Sequence, residues 1–317
     1  MINLKKTALV TGGAGFIGSH LVEALAKEEG FNVVVLDNLM KGKKEIIQYL
    51  IDEGKVNLVE GDIRCKDVVD EAMKGVDYVF HTAAIHINQS SKSPEECIDI
   101  NIKGSYNIFL SALQHGVKRV IFSSSSSVYG DPRKIPMNED DQLYPAEPYG
   151  AAKLYCEHLL QHLQKSGLKW NALRYYNVYG ERQAAHAYYT TAIIHFIKRV
   201  INNEPPVIDG KGDQSMDFTH ISDVVRANIL AMKSEAVNEV FNVGTGISTT
   251  IAQIADIIIK SLRKNIKPEF RDREVLVTKR KADTKKAKKL LGFEAKVNVE
   301  DGLAKVAQEI ASNPERY

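Results

Sequence analysis

Only 3 cysteines occur among the 317 residues. Cys65, Cys97 and Cys156 are too few for a disulfide framework and too widely spaced for a zinc motif, which points to a reducing, cytoplasmic setting. Long apolar runs are missing as well. Stretches such as Val33–Leu36 are the longest, far below the roughly 20 residues of a membrane span. Met1–Val10 lacks the apolar core and small-residue cleavage site of a signal peptide. Neither sign of charge prevails: 42 Lys and Arg against 40 Asp and Glu leave +2, so no nucleic-acid or membrane partner is implied. No repeat of solenoid length is visible.

What is present is an ordinary globular composition, 44% apolar and 26% charged, long enough for one large domain or two modest ones. Strand-like and helix-like segments alternate through the first half. Thr7–Val10, Asn32–Leu36, Val56–Glu60, Val76–His81, Val120–Ser124 and Lys169–Tyr176 read as strands. Gly18–Lys27, Lys43–Ile51, Cys65–Met73, Pro94–His115 and Tyr149–Lys165 read as helices. Apolar strands between amphipathic helices predict a doubly wound α/β fold on a parallel sheet. The expected division is a Rossmann domain over residues 1–176, its sheet completed by about 219–243, and a smaller, partly interleaved lobe over 177–317. In that lobe Ala187–Ile201, Ile221–Met232, Ser248–Leu262, Asp283–Leu290 and Val299–Ala311 read as helices, and Val240–Val243 as a strand. The basic run Lys279–Lys289 reads as a solvated helix face.

Thr11-Gly12-Gly13-Ala14-Gly15-Phe16-Ile17-Gly18 joins the first strand to the first helix. Gly12 permits a tight turn, Gly15 lets backbone amides approach a pyrophosphate at the helix N-terminus, and Gly18 permits close helix–sheet packing. The second strand ends in Asp37-Asn38, where an acid can hold the adenosine ribose and repel a 2′-phosphate, favouring NAD over NADP. Asp62-Ile63 fits either an adenine contact or a helix cap.

Ser123–Gly130 runs from a strand into a loop at the carboxyl edge of the sheet, where ligands of this fold bind. Tyr149 and Lys153 stand at i and i+4, roughly 6 Å apart on one helical face. An ammonium beside a phenol favours the phenolate, and a Tyr so tuned can act as general base or acid.

With these segments the chain resembles the extended short-chain dehydrogenase/reductase family, in its NAD-dependent sugar-nucleotide epimerase/dehydratase branch. The resemblance also takes in His81-Thr82-Ala83-Ala84, Asn101, Arg174–Gly180, Asp217-Phe218, Asp223-Val224-Val225, Phe241–Gly244 and Asp283…Phe293. It implies that Tyr149 is the base, that Lys153 tunes it and holds the nicotinamide ribose, and that Ser125 hydrogen-bonds the reacting sugar oxygen. It implies a tightly held NAD against Phe16, Ile17, Thr82, Ala83, Ala84, Asn101, Ser123 and Tyr176, in addition to the glycine turn, Asp37, Asn38, Asp62 and Ile63. It places Ser126 and Asn177 toward the sugar nucleotide, with the segment of Val207 and Ile208 over the base. It also implies a homodimer through helices 94–115 and 149–165.

The reaction expected from the resemblance is inversion at C4 of a UDP-hexose or UDP-N-acetylhexosamine. A 4,6-dehydratase or decarboxylase needs carboxyl groups beyond the tyrosine. Dehydratase relatives carry an Asp-Glu pair after the serine; here Ser126 and Ser127 stand there. The alternatives on the same scaffold are a 4,6-dehydratase, a decarboxylase or a 4-ketoreductase, and, from a different class, a catalytically silent NAD sensor. Relatives commonly have Arg before Asp217-Phe218, where this chain has Met216, so Arg182, Arg273 and Arg280 are the candidate cations for the substrate diphosphate. His158 and His162 lie i, i+4 but have no evident third ligand, so no metal is expected.

Overall fold

Alternate residues of the apolar strands face two different helical layers, and this double burial sets the architecture. The computed structural model describes residues 5–183, 190–272 and 279–314. Strand β1 (Thr7–Thr11) leads through the glycine turn into α1 (Phe16–Lys27); β2 (Asn32–Asp37) leads through a 3₁₀ turn into α2 (Gln48–Asp52). Next come β3 (Val56–Glu60), α3 (Lys66–Ala72) and β4 (Tyr78–His81). Then follow α4 (Ile87–Lys92), α5 (Pro94–Cys97), a π-helical turn over Ile98–Gly104, and α6 (Ser105–Gln114). β5 (Arg119–Ser125) ends in a 3₁₀ turn over Ser126–Tyr129, followed by α7 (Pro148–Leu163) and β6 (Trp170–Tyr175). The remainder holds β7 (Val178–Tyr179), α8 (Thr190–Ile201), β8 (Val207–Asp209), β9 (Ser215–Met216), β10 (Thr219–His220) and α9 (Ile221–Lys233). It ends with β11 (Glu239–Val243), β12 (Thr249–Thr250), α10 (Ile251–Ser261), β13 (Glu269–Arg271), α11 (Lys285–Leu291) and α12 (Val299–Ser312).

The main sheet has 7 strands in the order β3-β2-β1-β4-β5-β6-β11, and every neighbouring pair is parallel. This is the doubly wound Rossmann arrangement. Ala8, Val10, Val33, Val35 and Ile121 pack into a core with α1 and α9. Leu9, Leu36, Val120 and Phe122 pack the opposite way, into a core with α3, α6 and α7. A third core joins α8, α10 and α12 to Ile208 and Met216. Register sets Thr11 beside Leu36 and His81, Ser125 beside Tyr175, and Tyr175 beside Val243. The motif residues thus gather along one edge of the sheet.

Three expectations are corrected. The helix expected over 94–115 is interrupted by the π turn, where the Asn101 carbonyl takes hydrogen bonds from Ser105 Oγ at 2.6 Å and Cys156 Sγ at 3.2 Å. The basic run begins as extended chain, with bridges Ser215–Lys279 and Met137–Ala282, and is helical only from Lys285. The segment 43–51 is a 3₁₀ turn followed by the short α2. Sequence periodicity also misses α4 and the pairs β7–β10, β9–β12 and β8–β13, whose strands of two or three residues are too short to show a period.

Candidate active site

The glycine turn is shaped by close contacts. Gly12 has φ +68°, where a side chain is strained, and a Cβ there would lie 2.9 Å from the backbone of Ala83. A Cβ on Gly18 would lie 2.1 Å from the Gly12 carbonyl oxygen. Gly15 caps α1 without a side-chain hydrogen bond, and the first turn, beginning with Phe16 and Ile17, holds no acid. The α1 N-terminus therefore presents amides and a positive field to an anion.

Asp37 is buried at the end of β2 and accepts from the Ala14 and Leu39 amides, both at 2.9 Å. Asn38 donates to Asp62 at 3.0 Å. Asp62 holds Arg64 through both carboxylate oxygens, and chiefly that guanidinium brings its pKa down to about 2. Asp62 is not the cap of α3; Cys65 is. Ile63 is buried, and its carbonyl accepts from Asn107 at 3.0 Å. Beyond β4, Thr82 Oγ1 donates to the Thr11 carbonyl at 2.6 Å, and the Ala83 amide donates to Thr11 Oγ1 at 3.3 Å. Ala84 is exposed. Asn101 clamps this loop, accepting from the Ile85 amide at 2.9 Å and donating to the Ile85 carbonyl at 3.0 Å. The π turn aims that side chain.

Ser125 ends β5, and Tyr149 and Lys153 lie in the first two turns of α7, so strand and helix bring all three to the sheet edge. Burial pushes the Tyr149 phenol up, and a hydrogen bond with Ser125 opposes it. Lys153 is 3% exposed; its Nζ donates to the Ser123 carbonyl at 2.7 Å and lies 5.6 Å from the Tyr149 ring centre. Desolvation brings its pKa down to about 8. Ser125 Oγ also accepts from the Ser127 amide at 3.1 Å. Ser126 and Ser127 are buried in the 3₁₀ turn.

Behind this site, Arg174 and Glu157 form a bidentate pair at 3.0 and 2.7 Å, with side chains 3% and 2% exposed. Ser124 donates to the same carboxylate, and Arg174 also donates to Tyr129 Oη at 2.8 Å. Tyr129 Oη donates to Asn242 at 2.7 Å, and Tyr176 Oη reaches the same amide at 3.4 Å. Under the glycine turn, His81 is sealed between Thr11 Oγ1 at 2.7 Å and Ser105 Oγ at 2.8 Å. Desolvation lowers its pKa to about 3.

On the opposite wall, Asn177 donates to the Asp217 carbonyl at 2.9 Å. Asp217 is fully buried and accepts from Thr245, Gly246 and Ala282, so it orders the wall itself. Arg280 donates to the Gly130 carbonyl at 2.9 Å, while its Nε is buried with no partner among the described residues. Arg182 goes to α1, where it pairs with Glu23 at 2.5 Å. Val207 is half-buried, but Ile208 is only 1% exposed and belongs to the lobe core. Met216 lies in that core too, buried at 2% exposure. Arg273 lies outside the described residues.

The family model of the NAD dependent epimerase/dehydratase family matches residues 8–244. The chain belongs to that family. It is 35% identical over 310 residues to a putative UDP-glucose 4-epimerase of Methanocaldococcus jannaschii, covering 96% of this chain and 98% of that protein. Among solved structures, it is similar to a UDP-glucose 4-epimerase of Thermotoga maritima with UDP-glucose (36% identity, TM-score 0.90, 97% and 99% of the two chains). It is also similar to a UDP-N-acetylglucosamine 4-epimerase of Methanobrevibacter ruminantium in complex with UDP-N-acetylmuramic acid (35% identity, TM-score 0.91, 97% and 99%).

A member of an NAD dependent epimerase/dehydratase family needs a dinucleotide cradle, and the residues present fit one. Gly12 leaves the space a Cβ would fill, the α1 N-terminus is uncapped by side chains, and Asp37 stands at the second strand end. Sequence reasoning overlooked three residues at this edge. Lys41 and His86 were hidden because neither lies in a motif; only their contact, Nζ to Nε2 at 3.2 Å, brings them forward. Glu147, two residues before Tyr149, is half-buried and hydrogen-bonds Ser127. Burial raises its pKa, while Arg280 opposes that rise. Its position beside Tyr149 was the available signal. A separate cleft of about 550 Å³ lies at the opposite edge of the sheet, near Lys6, Tyr78 and Arg119, away from all of these groups.

Proposed function

We propose that this chain is a 4-epimerase of UDP-hexoses or UDP-N-acetylhexosamines. The observation that carries this reading is the convergence of Ser125, Tyr149 and Lys153 at the carboxyl edge, followed by Ser126 and Ser127 rather than carboxylates. Tyr149 takes the proton from the sugar 4-hydroxyl and later returns it. Ser125 orients that oxygen through its hydrogen bond with the phenol. Lys153, fixed by the Ser123 carbonyl, supplies a buried positive charge beside the ring. The cofactor held by the glycine turn and Lys153 would accept the C4 hydride as NAD⁺ and give it back in its reduced form. The 4-keto sugar turns in the pocket between the two steps, and one base then serves both faces.

For the cofactor, this reading assigns the diphosphate to the turn of Gly12, Gly15, Phe16, Ile17 and Gly18, and the adenosine to Asp37, Asn38, Asp62 and Ile63. The loop Thr82–Ala84, positioned by Asn101, covers its middle, while Ser123, Lys153 and Tyr176 sit at the nicotinamide end. The substrate side takes Ser125, Ser126, Asn177, Val207 and Arg280. The smaller C-terminal lobe, from residue 177 onward, is read as the sugar-nucleotide half. A homodimer is inferred from exposed apolar groups on the paired helices, Ile98, Tyr106 and Tyr155, at 57%, 43% and 49% exposure. The cytoplasmic setting rests on the cysteine usage. No helix of the described residues is long and apolar enough to cross a membrane.

A second reading, elimination of water, is favoured by Glu147 alone, a half-buried carboxyl at Ser127 that could hold a proton. Proton NMR of the purified protein with a panel of UDP-sugars and no added reductant separates the two. Inversion at C4 supports epimerisation. Loss of water or CO₂, or a need for stoichiometric NAD(P)H, contradicts it.

A further inference from the structure

In the sheet, β1 lies between β2 and β4, so the loops leaving β2 and β4 flank the glycine turn that leaves β1. A side chain from one loop that touches the other therefore joins the two sides of that turn. Lys41 does so. Its Nζ lies 3.2 Å from His86 Nε2 and donates to Gln89 Oε1; His86 is the N-cap of α4, and Gln89 lies within it. Gln89 in turn donates to Glu96 at 2.8 Å, which fixes the far side of the span.

The near side is anchored as well. Leu39 takes φ 55° and its amide bonds Asp37, while the Lys43 amide bonds the Ala14 carbonyl at 3.0 Å. A Cβ on Gly42 would lie 2.8 Å from Ala14 Cβ and 2.9 Å from the Asp37 carboxylate, so this loop is pressed against the glycine turn. The Lys41 ammonium thus bridges the two loops that flank the glycine turn, and its hydrogen bonds go to an imidazole and an amide. An anion seated on α1 is met by the helix amides, with this cation on the bridge between the flanking loops to pair with it.

We propose that Lys41 is a latch across the dinucleotide cleft: its ammonium pairs with the cofactor diphosphate and its contacts with His86 and Gln89 must part before the cofactor leaves. This rests on the cofactor site described above. The latch makes cofactor release slow and places the salt sensitivity of binding in one side chain.

The test compares wild type, Lys41→Ala, Lys41→Arg and Gln89→Ala, each stripped of cofactor. Equilibrium binding is measured for NAD, ADP and adenosine, NAD release is followed after dilution, and the melting temperature of each stripped protein is recorded. Lys41→Ala is expected to weaken ADP and NAD about tenfold or more and to speed NAD release by at least as much. Adenosine affinity and the stripped melting temperature stay at the wild-type values. Lys41→Arg keeps most of the affinity, and Gln89→Ala speeds release with a smaller loss of affinity. Unchanged ADP binding and NAD release in Lys41→Ala overturn the proposal, as does an equal loss for adenosine and ADP. A wild-type protein that binds no NAD contradicts the cofactor site itself, and the latch with it.

Discussion

Lys153 and Tyr149 share a face of α7, yet the ammonium gives its hydrogen bond to the Ser123 carbonyl at 2.7 Å and stays 5.6 Å from the Tyr149 ring centre. Under the proposed function the lysine serves the phenol through its charge, since its hydrogen bond is spent on the Ser123 carbonyl. Because burial brings Lys153 down to about 8, that charge is present below pH 8 and lost as pH rises through it. Turnover is expected to fall on the alkaline side with that midpoint. Lys153→Met should be slow throughout and lose that alkaline limb in a kcat-against-pH profile.

Tyr149→Phe removes the only oxygen assigned to proton transfer. A positioned acid–base group contributes roughly 10²–10⁴-fold, so kcat is expected to fall by that much. UDP affinity, measured by calorimetry, should stay near wild type because the ring remains. Ser125→Ala should cost less, since Tyr149 keeps its proton chemistry.

The Arg174–Glu157 pair ties β6 to α7 and, through Tyr129, to the turn that follows Ser125. Breaking a buried pair strands a charge and costs about 3–5 kcal/mol. Glu157→Gln should lower stability by that order in urea denaturation. The double variant Glu157→Gln with Arg174→Met should recover part of the loss, because it leaves no buried charge unpaired.

His81 is buried neutral, with a pKa near 3 against 6.5 in its ordinary state. The unfolded chain binds this proton and the folded one does not, so stability is full above pH 6.5 and falls as pH drops toward 3. The slope from this one group is about 1.4 kcal/mol per pH unit. Acid unfolding of His81→Asn, which can still bond Thr11 and Ser105, should show a shallower slope than wild type.

Much of the fold was legible because its signals are periodic. Strands such as Val33–Leu36 are apolar on both faces, and the glycines at 12, 15 and 18 each relieve a contact that the structure displays. The gathering of Ser125, Tyr149 and Lys153 could be read from their strand and helix positions. Other features depend on three-dimensional company. Arg182 was a candidate to replace the cation missing at Met216, but Glu23, far away in sequence, pairs with it. Ile208 and Met216 lie in strands of two or three residues whose inward face only the lobe core defines. The π turn at Asn101 leaves no mark in a helical pattern, and Lys41 lies outside every motif.

The most direct test of the central claim uses UDP-glucose carrying deuterium at C4. A 4-epimerase that moves this hydrogen as hydride and returns it without exchange yields UDP-galactose with the deuterium still at C4, seen by NMR and mass spectrometry. Loss of the label to water, or a product lighter by one water, would contradict the account.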